Sequence, residues 1–172
     1  MGDPRRQRKK YSNPGHPWIK ERIDSEKEIL KQYGLKRKNE IWKMDSLFRK
    51  YLNRAKTIIA LRTAQSEVEK KQLLERLNLL GLLKKESRIE DVLNLTLKDL
   101  MERRLQTLVV RKNLARSMLQ AREFITHRHV AVGERKITTP SYLVSVNEEN
   151  GIKMLKQINI TNQPKQEAKE AK

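Results

Sequence analysis

The sequence predicts an α+β fold in which a helical region precedes a small domain of two short helices packed on a sheet that contains a β-hairpin. Three observations predict this fold. Apolar residues recur at helical spacing through most of residues 18–100. The spacing changes to alternation in residues 129–132 and 135–138, which flank Gly133 and Glu134. Residues 1–17 contain three prolines and no apolar period, which predicts an extended arm.

Two helices are predicted between residues 18 and 59. Apolar residues from Trp18 and Ile19 to Tyr33 predict the first helix, and Gly34 offers its C-terminal stop. An apolar stripe over 41–59 predicts a longer second helix whose stripe packs in the core. Its opposite face is basic, so it either contacts an anion or is simply solvated.

Further helices are predicted up to residue 109. Residues 68–80 predict a third helix that Gly81 ends. The run 87–90 resembles a capping box, with Ser87 as the cap, ahead of a short helix. Thr96 and Asp99 resemble a second capping box, and the helix that they open is predicted to continue unbroken to Val109.

The small domain is predicted to close with a second short helix and several strands. Asn113 stands where a left-handed residue would end the preceding helix, and the next helix is predicted over 114–125. Gly133 at the first central position of a two-residue turn favours a type II′ hairpin. Additional strands are predicted over 142–146 and 152–158.

Four parts follow from these patterns. They are an extended basic arm at 1–17, a helical region at 18–100, the small domain at 101–156 and a polar tail at 157–172. We expect the tail to be disordered, because it carries too few apolar side chains to bury.

The charge balance limits the classes of function. The 172 residues contain 39 Lys plus Arg and 21 Asp plus Glu, a net charge of +18. Such an excess repels itself in a compact chain unless an anion neutralises it, so we expect a polyanionic partner, with a structured RNA as the best candidate. The absence of a long apolar run argues against membrane spanning and secretion. The chain has no cysteine, which excludes disulfides and favours an intracellular protein.

The positive charge is unevenly distributed along the chain. Residues 1–20 carry a net charge of +5, residues 36–62 carry +7 and residues 103–136 carry +7. Residues 67–102 carry −1. We therefore expect the near-neutral stretch to serve as scaffold and the basic stretches to contact the partner.

No enzyme signature was found in the sequence. It lacks the glycine-rich nucleotide loops and the Gly-x-Ser-x-Gly nucleophile motif, so we expect no enzymatic activity, no cofactor and no small-molecule substrate. His127 and His129 are spaced to share a metal, but no nearby Cys or Asp completes a coordination shell. We expect no metal there; hydrogen bonds to phosphate or 2′-hydroxyl groups are one use for these histidines, and plain surface or core positions are another.

The predicted RNA-binding residues lie in the arm, in the helical region and around the junction of the two short helices. At that junction, Arg116 and Gln120 are predicted to share one side of the second helix. The full set is Arg5, Arg6, Arg8, Lys9, Lys10, Lys20, Arg37, Lys38, Arg49, Lys50, Arg103, Arg104, Arg111, Lys112, Arg116, Ser117, Gln120, Arg122, His127, Arg128 and His129. The junction residues Arg111, Lys112, Arg116, Gln120 and Arg122 are predicted to contact RNA without contributing much to the fold. Arg122 alone has a structural alternative, in which it folds back on Glu123 or a helix terminus.

The small domain resembles the alpha-L RNA-binding domain. The resemblance rests on R-R-L-Q-T at 103–107, V-R-K-N-L-A-R-S at 110–117, A-R-E-F-I at 121–125, H-R-H-V-A-V at 127–132 and P-S-Y-L-V at 140–144. The segments at 13–23, 31–43 and 79–85 further resemble the archaeal and eukaryotic type of the family of small-subunit ribosomal protein four. Asn113 and the Gly133-Glu134 turn depart from the residues common in the family, while remaining compatible with the same backbone.

The resemblance implies a cytoplasmic, ribosomal, RNA-binding role in translation. Members bind the 5′ domain of small-subunit ribosomal RNA during assembly, contact neighbouring small-subunit proteins, and influence decoding accuracy near the path of incoming messenger RNA. An RNA-modifying enzyme subunit and a free RNA-binding chaperone or regulator are alternatives, because the same domain occurs in such proteins.

Overall fold

The computed structural model describes residues 11–61 and 63–155, together with Gly2 and Lys9. The predicted tail and most of the predicted arm lie outside these residues. The described part contains seven α-helices, one 3-10 helix and a three-stranded sheet. None of its helices combines the length and apolar character that a membrane span requires.

The helical region is built around the long helix α2. Its elements are α1 (Lys20–Gln32), α2 (Lys38–Ala60), α3 (Ala64–Leu79), a 3-10 helix (Ile89–Asn94) and α4 (Leu97–Glu102). The apolar stripe of α2 is buried as predicted, through Ile41, Met44, Tyr51, Ala55 and Ile58. These side chains join Leu73 and Leu77 of α3 and Val92 of the 3-10 helix in one apolar core.

The start of α1 differs from the prediction. Trp18 and Ile19 precede the helix, and both side chains are exposed instead of packing in the core. At the other end Gly34 has the predicted helix-terminating conformation, with φ +56°. A Cβ atom at Gly34 would lie 2.6 Å from the Cβ atom of Met118, so the missing side chain also lets the end of α1 approach the small domain.

One of the two predicted capping boxes is confirmed. Thr96 and Asp99 cap α4 reciprocally, with the Thr96 N–H donating to the Asp99 carboxylate at 2.8 Å. The box predicted at Ser87 is wrong, because the Ser87 hydroxyl accepts from Lys84 N–H instead. The 3-10 helix begins one residue later, and the Asp91 carboxylate accepts from the Arg88 N–H at 2.8 Å.

The predicted continuous helix from Thr96 to Val109 is interrupted. It is divided into α4 and α5 (Leu105–Arg111) by Arg103 and Arg104, and Arg104 has extended backbone angles. Residues 103–105 instead pair with residues 142–144 through a bridge between Arg104 and Leu143. This pairing accounts for the break and fastens the helical region to the small domain.

The small domain packs α5 and α6 (Met118–Thr126) against a short sheet. The strands are β1 (Val130–Val132), β2 (Arg135–Lys136) and β3 (Ile152–Met154), with the antiparallel order β2-β1-β3. The remaining helix is α7 (Val146–Glu149). A second apolar core contains Leu105, Val109, Phe124, Ile125, Val130, Val144 and Ile152.

Several local predictions in the small domain are confirmed and two are wrong. Asn113 has φ +57°, and Gly133 has φ +61° in the two-residue turn. The second short helix begins at Met118 rather than at residue 114, with Ser117 as its cap. The strand predicted over 142–146 is reduced to the single bridge at Leu143, and α7 follows it.

Candidate nucleic-acid interface

A basic groove lies where the helical region meets the small domain. It has a volume of about 420 Å³, and its walls come from the first turns of α2, from Arg104 and Arg122, and from the loop before α7. The charged lining residues are Lys36, Arg37, Glu40, Lys43, Arg104 and Arg122. Five of these six residues are cationic, so the groove favours an anion.

Glu40 is the acidic centre of this groove. Its carboxylate accepts from Arg104 at 3.0 Å and from both terminal nitrogens of Arg122, at 2.8 and 3.2 Å. Burial alone would raise the pKa of Glu40, but hydrogen bonds and charge from Arg122 and Arg104 hold that pKa below its ordinary 4.5. Glu40 therefore remains ionised and joins α2 to both α6 and the start of α5.

Two predicted RNA-binding residues, Arg104 and Arg122, form ion pairs with Glu40 in this groove. Arg104 is only 1% exposed, and its guanidinium faces Glu40 instead of solvent. The expectation that Arg104 contacts RNA stays a prediction: its guanidinium lines the groove but is almost wholly buried against Glu40. Arg122 is half-buried in the same ion-pair cluster. Its structural alternative therefore holds, although its partner is Glu40 of α2 and not Glu123 or a helix terminus.

Arg111 belongs to a different cluster, beside α1. Its guanidinium forms two hydrogen bonds with the Glu102 carboxylate, at 3.0 and 3.1 Å, while Tyr33 donates its hydroxyl to the same carboxylate at 3.1 Å. Burial and the Glu102 carboxylate together raise the pKa of Tyr33 to about 12. The Arg111 side chain is nevertheless 62% exposed, so it can still contact a partner.

Four more predicted residues pair with groups of this chain. Arg103 pairs with Glu149 at 2.8 Å, and the Lys112 ammonium donates to the Glu149 carbonyl oxygen. Lys38 lies 3.4 Å from the buried Glu26 carboxylate, and Arg49 pairs with Asp45 at 2.9 Å. Arg103 and Lys112 therefore anchor the end of α7, while Arg49 remains largely exposed.

The loop before α6 holds Arg116 in place through its backbone. The Arg116 N–H donates to the Gln120 side-chain oxygen at 2.8 Å, and the Ser117 hydroxyl accepts from the Gln120 N–H. Ser117 and Gln120 thus cap the start of α6. Arg116 precedes this helix, so the prediction that Arg116 and Gln120 share one side of it is wrong. The Arg116 side chain is exposed and has no carboxylate partner among the described residues.

The histidine pair flanks a left-handed residue. Arg128 has φ +63° between the end of α6 and β1, and its side chain is exposed. His127 is exposed as well, whereas His129 is half-buried, and its ring makes a T-shaped contact with Phe124 at a centroid distance of 6.2 Å. The His127 and His129 ring centroids are 6.4 Å apart, and the described residues contain no group of three side chains suited to hold a metal ion.

The remaining predicted residues are more scattered. Lys20, Arg37 and Lys50 are exposed on α1 and α2 or beside them, and Lys9 is exposed. Arg5, Arg6, Arg8 and Lys10 lie outside the described residues. The exposed cations are consequently distributed over both domains, with the groove between them.

The groove contains functional candidates that the predicted set of RNA-binding residues did not include, although Lys43 belongs to the predicted basic face of α2. Lys36 and Lys43 line it and are exposed, while Glu40 lines it and is half-buried. Glu40 and Lys43 are three positions apart in α2 and so share one side of the helix, whereas Lys36 precedes the helix. That spacing was a usable signal for Lys43, but the long-range partners of Glu40 were not visible in it.

The fold and this basic surface define an S4-domain protein with a helical N-terminal region. The S4 domain family matches residues 103–150, a span that begins at the Arg103 break and ends just before β3. The match covers α5, α6, the hairpin and α7.

Comparisons that cover most of the chain then identify the family. The chain is 51% identical over 151 residues to "Small ribosomal subunit protein uS4" of Saccharolobus solfataricus, which covers 87% of this chain and 83% of that protein. It is 50% identical, with the same coverage, to the proteins of that name from two strains of Saccharolobus islandicus. The chain belongs to the uS4 family of small ribosomal subunit proteins, a family of ribosomal proteins and not of enzymes.

Proposed function

We propose that this protein is a structural component of the small ribosomal subunit in the cytoplasm and binds the 5′ domain of its ribosomal RNA. The observation that carries the proposal is the basic groove between the two domains, where the exposed Lys36, Arg37 and Lys43 lie beside the ion-pair cluster of Glu40 with Arg104 and Arg122. A groove of this shape and charge suits the phosphates of a folded RNA.

Exposed cations outside the groove extend the proposed interface. Arg116 precedes α6, Arg128 follows it, and Arg37 lies at the start of α2. Because these positions belong to different elements of both domains, a rigid RNA fold would contact them together more readily than a short single strand would.

The proposal is tested with a transcript of the 5′ domain of small-subunit ribosomal RNA. Filter binding should give a binding constant whose logarithm falls by about 0.7–0.9 per neutralised phosphate for each unit of log salt. A 3′-domain transcript of equal length is the control and should bind more weakly. Equal affinity for the two transcripts would contradict specific binding of the 5′ domain.

Assembly into the subunit has a separate test. Tagged protein should sediment with small subunits in nearly equimolar amounts, and it should be incorporated before the subunit is complete. A free RNA-binding regulator would remain mostly in the light fractions, and that result would overturn the structural role.

A finer part of the proposal concerns decoding. The family resemblance supports a position near the path of incoming messenger RNA, beside neighbouring small-subunit proteins. Variants at exposed cations of the small domain should then change misreading in a reporter assay without changing subunit yield. Unchanged misreading in all such variants would restrict the function to assembly.

A further inference from the structure

Trp18 is more exposed than the other large apolar side chains of the described residues. Its side chain is 90% exposed, whereas the next, Leu119, is 63% exposed. A tryptophan normally buries much of its large aromatic surface. Trp18 therefore presents an aromatic face that no described part of the chain covers.

Trp18 does not stabilise the start of α1, which is the usual structural role of an apolar residue just before a helix cap. Trp18 lies one residue before the cap of α1, where an apolar side chain often packs on the fourth helical residue. That residue is Ile23, and the exposure of Trp18 excludes such packing. The position of Trp18 therefore does not serve to fix the start of α1.

The backbone on the N-terminal side of Trp18 is nevertheless held firmly. Arg22 donates to the carbonyl oxygens of His16 at 3.1 Å and Pro17 at 2.8 Å. The same guanidinium pairs with the buried Glu26 carboxylate at 2.6 Å. Trp18 is thus an exposed aromatic ring on an anchored segment, which lowers the entropy that a partner must overcome on binding.

Charge identifies the kind of partner. In sequence, residues 1–20 carry a net charge of +5, and Lys20, the first residue of α1 and two positions after Trp18, is exposed. A cationic environment attracts phosphates, while every nucleobase offers a π-face for stacking on an aromatic ring. A protein partner would have to supply both an apolar surface for the exposed Ile19 and acidic groups for this positive charge.

We propose that Trp18 is a stacking site for one unpaired nucleobase of the bound RNA. This inference rests on the proposed RNA binding and adds a single-stranded contact to an otherwise phosphate-directed surface. Arg22 and Glu26 position the segment, Trp18 stacks on the base, and Lys20 neutralises the adjacent phosphate.

Fluorescence can follow the ring directly. Trp18 and Trp42 are the two tryptophans, so the Trp42→Phe variant leaves Trp18 as the single probe. On titration with the 5′-domain transcript, we expect quenching of Trp18 emission and protection from acrylamide at the concentrations that give filter retention. Retention without quenching or protection would overturn the stacking site while leaving RNA binding intact. No retention would instead overturn the proposed function itself.

Affinity measurements supply the second test. In the natural sequence, Trp18→Ala should weaken transcript binding at least about fivefold, and Trp18→Phe should restore most of the affinity, since stacking contributes about 1–3 kcal/mol per base. Leu119→Ala is the matched control at another exposed apolar residue and should bind normally. All three variants should keep the melting temperature of the parent.

A protein partner would give a different pattern. Trp18 would then remain exposed in the transcript complex and become protected only in purified small subunits, where photo-crosslinking would join it to a polypeptide. That result, or equal transcript affinity of Trp18→Ala and the parent, would overturn the proposal.

Discussion

Glu40 and Arg104 form an ion pair of 3.0 Å between residues that are 64 positions apart. Arg104 is buried, and Arg122 of α6 shares the same carboxylate. One acid on α2 thus helps to hold the helical region against the small domain, together with the pairing of residues 103–105 and 142–144. Because both domains contribute to the basic groove, this ion-pair cluster also sets the shape of the proposed interface.

Glu40→Gln should destabilise the protein by about 3 kcal/mol, because removing one partner leaves a buried cation without its counter-charge. Urea denaturation measures the change. Asp45→Asn is the control on the same helix, where the exposed pair with Arg49 should contribute less than about 1 kcal/mol. Equal stabilities of the two variants would contradict the proposed importance of the Glu40 cluster.

Acid should weaken the folded state through the same carboxylate. The folded pKa of Glu40 lies below its ordinary 4.5, so its contribution is present above pH 4.5 and is lost as pH falls through the folded pKa. Stability measured below pH 4.5 should therefore fall more steeply for the parent than for Glu40→Gln. Some acid sensitivity should persist in the variant, because the pKa of Glu148 is lowered too. Parallel pH profiles would refute this linkage.

Alkaline pH should lower the stability of the folded protein through deprotonation of Tyr33. Its pKa is about 12 in the folded protein and 10.0 ordinarily, so its hydrogen-bonded, protonated form stabilises the fold fully below pH 10. That contribution is lost as pH rises from 10 through 12. Tyr33→Phe should cost about 1 kcal/mol near neutral pH and should show a flatter decline in unfolding free energy over this range. A decline as steep as that of the parent would show that Tyr33 is not the responsible group.

Local sequence signals predicted the elements that depend on nearby residues. The stripe of α2, the Thr96 cap and the left-handed Asn113 and Gly133 were all predicted correctly, because spacing and backbone preference determine them within a few positions. The α+β order followed from the change in apolar spacing near Val130.

Long-range contacts account for what the sequence did not reveal. Arg103 and Arg104 continue a helical pattern, but pairing with residues 142–144 interrupts the helix there and leaves Arg104 extended. The Arg103 guanidinium also donates to the Val144 carbonyl oxygen, across 41 positions. The sequence likewise could not show that Arg104 is buried in an ion pair whereas Arg116 is exposed to solvent, because both are simply arginines in a basic stretch. The distinction depends on Glu40, whose position against α5 and α6 is a property of the tertiary fold.

Arg116→Ala should weaken binding to the 5′-domain transcript by about 1.5–3 kcal/mol, the contribution of a charge-assisted contact. Its melting temperature should stay close to that of the parent, because no described carboxylate contacts the side chain and exposed substitutions change stability by less than about 0.5 kcal/mol. Arg122→Ala is the contrasting variant and should lower the melting temperature, since it removes a partner of Glu40. A large melting shift in Arg116→Ala would indicate a structural role.

Arg128 combines an exposed cation with a strained backbone. A residue with a side chain at φ +63° is disfavoured by about 1–2 kcal/mol, whereas glycine adopts this conformation readily. Arg128→Gly should therefore stabilise the protein by about 1 kcal/mol while weakening RNA binding, because the guanidinium is lost. Unfolding by urea and filter binding measure the two effects separately.

Two further variants separate the backbone from the charge. Arg128→Ala should weaken RNA binding as much as Arg128→Gly but without the gain in stability, since alanine retains the strained Cβ atom. Asn113→Gly should change stability less than Arg128→Gly, because asparagine tolerates the left-handed region better than arginine does. If Arg128→Gly is more stable and binds RNA with unchanged affinity, the strain at Arg128 serves no RNA contact. If instead affinity falls and stability rises, the loop holds a cation in an unfavourable conformation because RNA contacts it there.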